Sequence, residues 1–120
     1  MAKILIVDDE IGICEEFKNV LEEDNHQVDI ALNGQQALRQ VEENSYNIVF
    51  LDILMPKMEG REVFQEIKAI RPSLPVVVMS GYLPANKEQD LLTRGALACL
   101  KKPLDLEHIQ NLIRSVTSRS

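Results

Sequence analysis

The sequence predicts an α/β fold in which one parallel, doubly wound sheet of five strands carries helices on both faces. Five short apolar segments alternate with five segments of helical periodicity, an order typical of strands joined by right-handed helical crossovers. Ile4–Val7 and Ile48–Leu51 are unbroken apolar runs, as expected for strands buried on both faces of a parallel sheet. With 120 residues the chain can build one core but not two, so we expect residues 1–120 to form one domain.

Three further strands are predicted from local patterns. Gln27–Leu32 alternates apolar and polar residues, which indicates a half-exposed edge strand. Val76–Met79 follows Pro75 and is apolar throughout, and Leu97–Leu100 is a second run of the same length. We expect these strands to adopt the flavodoxin-like order 2-1-3-4-5, in which strand two lies at an edge.

The five helices are predicted from apolar residues that recur along one stripe of each intervening segment. These residues are Ile13, Cys14, Phe17, Val20 and Leu21; Ala37, Leu38 and Val41; Val63, Phe64, Ile67 and Ile70; Leu91 and Leu92; and Leu106, Ile109, Leu112, Ile113 and Val116. The fourth helix, from about Ala85 to Arg94, is expected to end at Gly95, and Asp105 is expected to cap the fifth.

Four of the five strands lead into a polar residue at the same edge of the predicted sheet. The first strand leads into Asp8 and Asp9, the third into Asp52, the fourth into Ser80 and the fifth into Lys102. Neighbouring strands lie about 4.8 Å apart, so the acids and the hydroxyl should meet, and a lysine stem can cross the two spacings from strand five. Taken singly these residues resemble helix caps, turn residues and solvated charges, and only their joint placement indicates a site.

Three clustered carboxylates repel one another unless a cation shares the site. Oxygen ligands with open positions suit Mg²⁺, which also binds phosphate oxygens. Carboxylates, a hard cation, an amine and a hydroxyl together describe a phosphoryl-transfer site. We therefore predict that Asp52 is the nucleophile and that Lys102 neutralises the transferred group.

Composition narrows the classes of function. The formal net charge of −6 argues against nucleic-acid binding by this chain and favours cations. Cys14 and Cys99 lack metal-ligand spacing, so we expect reduced core cysteines in a cytoplasmic protein. The N-terminal apolar run is too short for a signal peptide or a membrane span.

The ordered set of motifs resembles the receiver domain of two-component response regulators over essentially the whole chain. The motifs are Ile-Leu-Ile-Val-Asp-Asp-Glu at 4–10, Asn-Gly-Gln-Gln-Ala-Leu at 33–38, Leu-Asp-Ile-Leu-Met-Pro-Lys-Met-Glu-Gly at 51–60, Met-Ser-Gly at 79–81 and Lys-Lys-Pro at 101–103. Any one of these motifs is weak, whereas the five in this order are highly specific.

The resemblance implies a role for each residue of the predicted site. Asp52 would accept a phosphoryl group from a histidine of a sensor kinase or phosphotransfer protein. Asp9, Asp8 (partly through water), Asp52 and the backbone carbonyl of Leu54 would hold Mg²⁺. Ser80 would be the switch hydroxyl and Lys102 the phosphate-binding lysine, before a cis bond to Pro103.

The resemblance also implies how such a domain signals. Phosphorylation would switch the surface formed by helix four, strand five and helix five, for an attached effector domain, a downstream protein or a phosphorylation-dependent dimer. The fifth strand of the family usually carries Tyr or Phe, where this sequence has Cys99. We therefore favour an output that depends on backbone shifts around Ser80-Gly81-Tyr82. The alternative is an output that relies on a partner that binds the loops beside Asp52.

The same residues argue against three other functions. A flavin-binding flavodoxin needs a phosphate loop rich in Ser, Thr and Gly, where this chain has Asp8-Asp9-Glu10. A haloacid-dehalogenase phosphatase typically has a second acid two residues after the nucleophile, where this chain has Leu54. A plain interaction module with no phosphorylation chemistry stays open and is disfavoured, because the acids, hydroxyl and lysine are all present.

Overall fold

The computed structural model describes residues 2–53 and 60–117, in which strands and helices alternate. In chain order the elements are β1 (Lys3–Val7), α1 (Ile11–Glu23), β2 (Gln27–Ala31), α2 (Gly34–Glu43), β3 (Ile48–Asp52), α3 (Gly60–Ile70), β4 (Val76–Ser80), α4 (Ala85–Thr93), β5 (Ala98–Lys101) and α5 (Leu106–Thr117). Among the described residues, no helix combines the length and apolarity that crossing a membrane requires.

The five strands form one parallel sheet in the order β2-β1-β3-β4-β5, which confirms the predicted topology. The register brings the carboxyl ends of the inner strands level with one another. Val7 pairs with Leu51, Asp52 with Met79, and Ser80 with Lys101. This edge therefore receives the last residues of β1, β3, β4 and β5.

Alternate residues of each strand enter two separate apolar layers, one on each face of the sheet. Leu5, Val49 and Val78 face the layer that holds buried side chains of α2, α3 and α4. Phe50 and Val77 face the layer that holds buried side chains of α1 and α5. Coverage of both faces explains why the inner strands are continuously apolar.

Each of the five strands differs from its predicted range by one residue at one end, and β5 does so at both ends. β2 ends at Ala31 because the Leu32 amide donates to the side chain of Gln36, 2.9 Å away, instead of to a neighbouring strand. β5 runs from Ala98 to Lys101, since Lys101 still pairs with Ser80. The predicted C-terminal glycine of α4 is confirmed, because Gly95 has a φ of +108° that few other residues adopt.

Candidate functional site

The sheet edge at the carboxyl ends of the strands collects the predicted site residues. Asp8 follows β1, Asp52 ends β3 and Ser80 ends β4, and all three are buried. Lys102 follows β5, and 21% of its side chain is exposed. Buried polar groups at the ends of buried strands require partners, since desolvation of an unpaired charge is costly.

The ammonium group of Lys102 joins the two buried carboxylates. Its Nζ lies 2.9 Å from Oδ2 of Asp8 and 3.0 Å from Oδ2 of Asp52. The expectation that a lysine stem could cross from the fifth strand to the third is therefore confirmed. Two carboxylates and one ammonium still leave a net negative charge at the centre of the site.

The charge state of Lys102 follows from this geometry. Burial alone would lower the pKa of its ammonium, but the hydrogen bonds and charges of Asp8 and Asp52 outweigh burial and raise that pKa above its usual value. Lys102 is thus a fixed cation at neutral pH. An ammonium group held between two carboxylates can redirect its hydrogen bonds toward negative charge that is added to either of them.

Asp8 is held by the backbone as well as by Lys102. Its Oδ1 accepts a hydrogen bond from the Glu10 amide, and its own amide donates to the carbonyl of Ala31. The Cys14 thiol of α1 lies 3.4 Å from the Asp8 carbonyl oxygen. Contacts at both carboxylate oxygens therefore hold the Asp8 carboxylate in one orientation.

Carboxylate oxygens of Asp8, Asp9 and Glu10 lie within 4.8 Å of one another, and Asp9 and Glu10 are exposed. A set of oxygen donors that is buried on one side and open on the other suits a hard cation that retains water ligands. The sequence predicts Asp8 and Asp9 as metal ligands but not Glu10, although Glu10 is the third acid in a consecutive run of three. The predicted ligand carbonyl of Leu54 lies outside the described residues.

The Ser80 hydroxyl is engaged in its own turn. It donates to the carbonyl of Tyr82 at 2.6 Å and accepts from the Tyr82 amide at 3.1 Å. The Ser80 carbonyl accepts the amide of Lys102 at 2.8 Å. Ser80 is therefore at the predicted edge, and both of these hydroxyl contacts tie the β4–α4 turn instead of reaching Asp52.

The two cysteines are free and differ in burial. Cys14 is fully buried, whereas Cys99 is only partly buried and packs against the layer shared by α2, α3 and α4. Burial raises the pKa of each thiol to about 11, so neither is a reactive thiolate at neutral pH.

The Lys102–Pro103 peptide bond is cis, as the resemblance implied.

Comparison with known proteins identifies the family. The sequence model described as "Response regulator receiver domain" matches residues 4–114. Transcriptional regulatory protein ZraR of Klebsiella oxytoca is 40% identical over 107 residues, which are 89% of this chain and 24% of that protein. Sporulation initiation phosphotransferase F of Bacillus subtilis is 34% identical over 112 residues, which are 93% of this chain and 90% of that protein.

Solved structures agree with this match. A CheY-like receiver domain protein of Methanospirillum hungatei has a TM-score of 0.89 and 29% identity, covering 100% of this chain and 99% of that one. The response regulator TrrA of Thermotoga maritima, solved with Mg²⁺-BeF, has a TM-score of 0.84 and 30% identity, covering 97% and 99%. The chain spans about a quarter of the length of the ZraR regulators. It belongs to the family of receiver domains of two-component response regulators.

Proposed function

We propose that Asp52 is the phosphoacceptor of this receiver domain and that the donor is a phosphohistidine of a sensor kinase or phosphotransfer protein. The observation that carries the proposal is the partly buried Lys102 ammonium, 3.0 Å from the Asp52 carboxylate. Asp52 ends the central strand of the sheet and is buried, which gives its carboxylate a defined direction. A buried carboxylate beside a fixed cation is suited to hold a group that brings further negative charge.

In the proposed step, a carboxylate oxygen of Asp52 bonds to phosphorus as the donor's P–N bond breaks, and the electron pair stays on the imidazole nitrogen. Lys102 keeps its contact with the Asp52 side and meets the new phosphoryl oxygens. Its hydrogen bond to Asp8 is then weakened, because the phosphoryl group is the stronger acceptor. The ion pair between Lys102 and Asp8 is thereby replaced by one between Lys102 and the phosphoryl group.

Mg²⁺ is the proposed cation, held by Asp8, Asp9 and Asp52 and by the Leu54 carbonyl. The donor set supports this assignment, since it consists of oxygen atoms and lies partly open to solvent. The Mg²⁺-BeF complex of the Thermotoga relative supports the same choice of ion. Bound there, Mg²⁺ would offset the negative charge of the phosphoryl oxygens. Glu10 lies close enough to add a carboxylate or to orient a metal-bound water.

Ser80 is proposed to carry the signal. A phosphoryl group adds about −1.5 to −2 charges. That charge would attract the Ser80 hydroxyl away from Tyr82. The Tyr82 carbonyl would then lose its hydrogen-bond donor, and the Tyr82 amide would lose its acceptor. The β4–α4 turn is thereby released, and α4 with it.

The proposed output surface is formed by α4, β5 and α5. Tyr82, Leu92 and Leu97 are exposed apolar side chains on or beside these elements, which suits a partner that binds there after the switch. The partner would be an effector domain, a downstream protein or a second receiver in a phosphorylation-dependent dimer. We further propose a cytoplasmic location, and no substrate turnover apart from the chain's own phosphorylation and dephosphorylation.

Intact mass after incubation with acetyl phosphate and Mg²⁺ tests the assignment. The wild type should gain one phosphoryl group that depends on Mg²⁺, Asp52→Asn should gain none, and Asp24→Asn, an exposed control, should behave like the wild type. Full labelling of Asp52→Asn would show that another residue accepts the group.

A further inference from the structure

The first residue of α3 packs directly on the residue that follows Asp52. The Gly60 amide donates to the carbonyl of Ile53 at 3.2 Å, and the Ile53 amide donates to the carbonyl of Met79 at 3.2 Å. Gly60 is buried. The backbone of Ile53 is therefore held from the α3 side and from the β4 side at once.

The contact leaves no room for a side chain at position 60. A Cβ on Gly60 would lie 2.1 Å from the Cα of Ile53 and 2.7 Å from its carbonyl carbon and oxygen. Backbone atoms cannot rotate away as the end of a flexible side chain can. Any other residue at position 60 must therefore displace either the start of α3 or the backbone of Ile53.

A displaced Ile53 would move the proposed phosphoacceptor. Asp52 precedes Ile53 directly, and its carboxylate reaches Lys102 at 3.0 Å, close to the ordinary length of such a hydrogen bond. Relief of the clash needs a movement of about 1 Å, and a misplacement of this size can cost a reaction about 100-fold. The same movement would lengthen the contact between the Lys102 ammonium and the Asp52 carboxylate.

We propose that Gly60 is a positioning residue for Asp52: the bare backbone of α3 against Ile53 holds the Asp52 carboxylate within reach of Lys102. The inference rests on the proposed role of Asp52 as phosphoacceptor. Gly60 acts by the space that it leaves empty against the backbone of Ile53.

Gly60→Ala tests the proposal, with Gly12→Ala as its matched control. Both glycines lie in the first turn of a helix, but a Cβ at Gly12 meets no atom within 4 Å. Phosphorylation by acetyl phosphate should be about 10- to 100-fold slower in Gly60→Ala and unchanged in Gly12→Ala. Rates are normalised to the folded fraction, measured by circular dichroism on the same samples at low temperature.

A second readout does not depend on phosphorylation. In crystal structures of the metal-free proteins, the distance between Lys102 Nζ and Asp52 Oδ2 should lengthen from 3.0 Å in Gly60→Ala and stay unchanged in Gly12→Ala. A slow rate together with a lengthened distance supports positioning. A wild-type rate, an unchanged distance or the absence of any folded fraction in Gly60→Ala overturns the proposal.

The two proposals can fail separately. If Asp52 is not the phosphoacceptor, Asp52→Asn still gains the phosphoryl group, whatever the distance between Lys102 and Asp52 is in Gly60→Ala. If Gly60 does not position Asp52, Asp52→Asn gains none while Gly60→Ala reacts at the wild-type rate.

Discussion

Replacing Lys102 with methionine should destabilise the metal-free protein strongly. Methionine has nearly the length of lysine and no charge, so the change removes the ammonium with little loss of volume. The carboxylates of Asp8 and Asp52 would then share a site in which their side chains are only 1% and 6% exposed. Their mutual repulsion would no longer be offset by the cation between them.

The magnitude follows from the burial of the partners. Removing one member of a buried ion pair costs about 3–5 kcal/mol, because the other member stays desolvated and unpaired. For a chain of 120 residues, about 4 °C of melting temperature per kcal/mol gives a loss of roughly 12–20 °C. Lys101→Met, the neighbouring exposed lysine of β5, should change stability by less than about 0.5 kcal/mol.

Thermal and urea unfolding in EDTA measure the effect, and a double-mutant cycle assigns it. Asp52→Asn in the Lys102→Met background should restore a large part of the lost stability, because it removes one of the two unpaired carboxylates. Mg²⁺ should also stabilise Lys102→Met more than the wild type. The free energy of unfolding of the variant should rise by about 2.7 kcal/mol at a Mg²⁺ concentration of 100 times its own Kd. Equal losses in Lys102→Met and Lys101→Met would refute the charge argument.

Three further predictions concern separate contacts. Asp9→Asn should reduce the Mg²⁺-induced rise in melting temperature, and an undiminished rise would place the ion elsewhere. Ser80→Ala should speed amide exchange in the β4–α4 turn at Tyr82, where the hydroxyl makes two hydrogen bonds, and unchanged exchange would refute the tie. Burial and the hydrogen bond to Asp29 raise the pKa of Tyr46, so its contribution to stability should be lost as pH rises above about 10. Tyr46→Phe should lower stability at pH 7 by roughly 1–3 kcal/mol and flatten that decline, and a curve parallel to the wild type would contradict it.

The fold could be predicted because the pattern of apolar residues in a strand indicates how that strand is buried. Continuous apolar runs such as Ile48–Leu51 occur where helices cover both faces, and the alternation of Gln27–Leu32 marks an edge. The predicted β2 was one residue too long because a local contact competes with the ladder there. The amide of Leu32 prefers the side chain of Gln36, a choice that no hydrophobic pattern encodes.

The placement of the candidate site was predictable to the same extent. Parallel strands bring their carboxyl ends to one edge, so the meeting of Asp8, Asp52 and Lys102 follows from topology and from the reach of a lysine. The turn contacts of Ser80 depend on a rotamer, which the sequence does not reveal. The close approach of Gly60 to Ile53 likewise depends on the angle at which α3 meets the sheet.

The contacts of Ser80 bear on how a receiver with Cys99 in β5 can transmit a signal. Each hydrogen bond of the Ser80 hydroxyl to Tyr82 contributes about 0.5–1.5 kcal/mol, whereas a hydrogen bond to a charged phosphoryl group contributes about 1.5–3 kcal/mol. The exchange proposed for Ser80 is therefore close to balanced, and a small preference for either partner would be enough to move the turn. The helix that follows is weakly held, because Leu91 is the residue that α4 buries in the core. The backbone of the β4–α4 turn leads directly into α4. Release of the turn at Tyr82 could therefore shift α4 without the rotation of an aromatic side chain in β5.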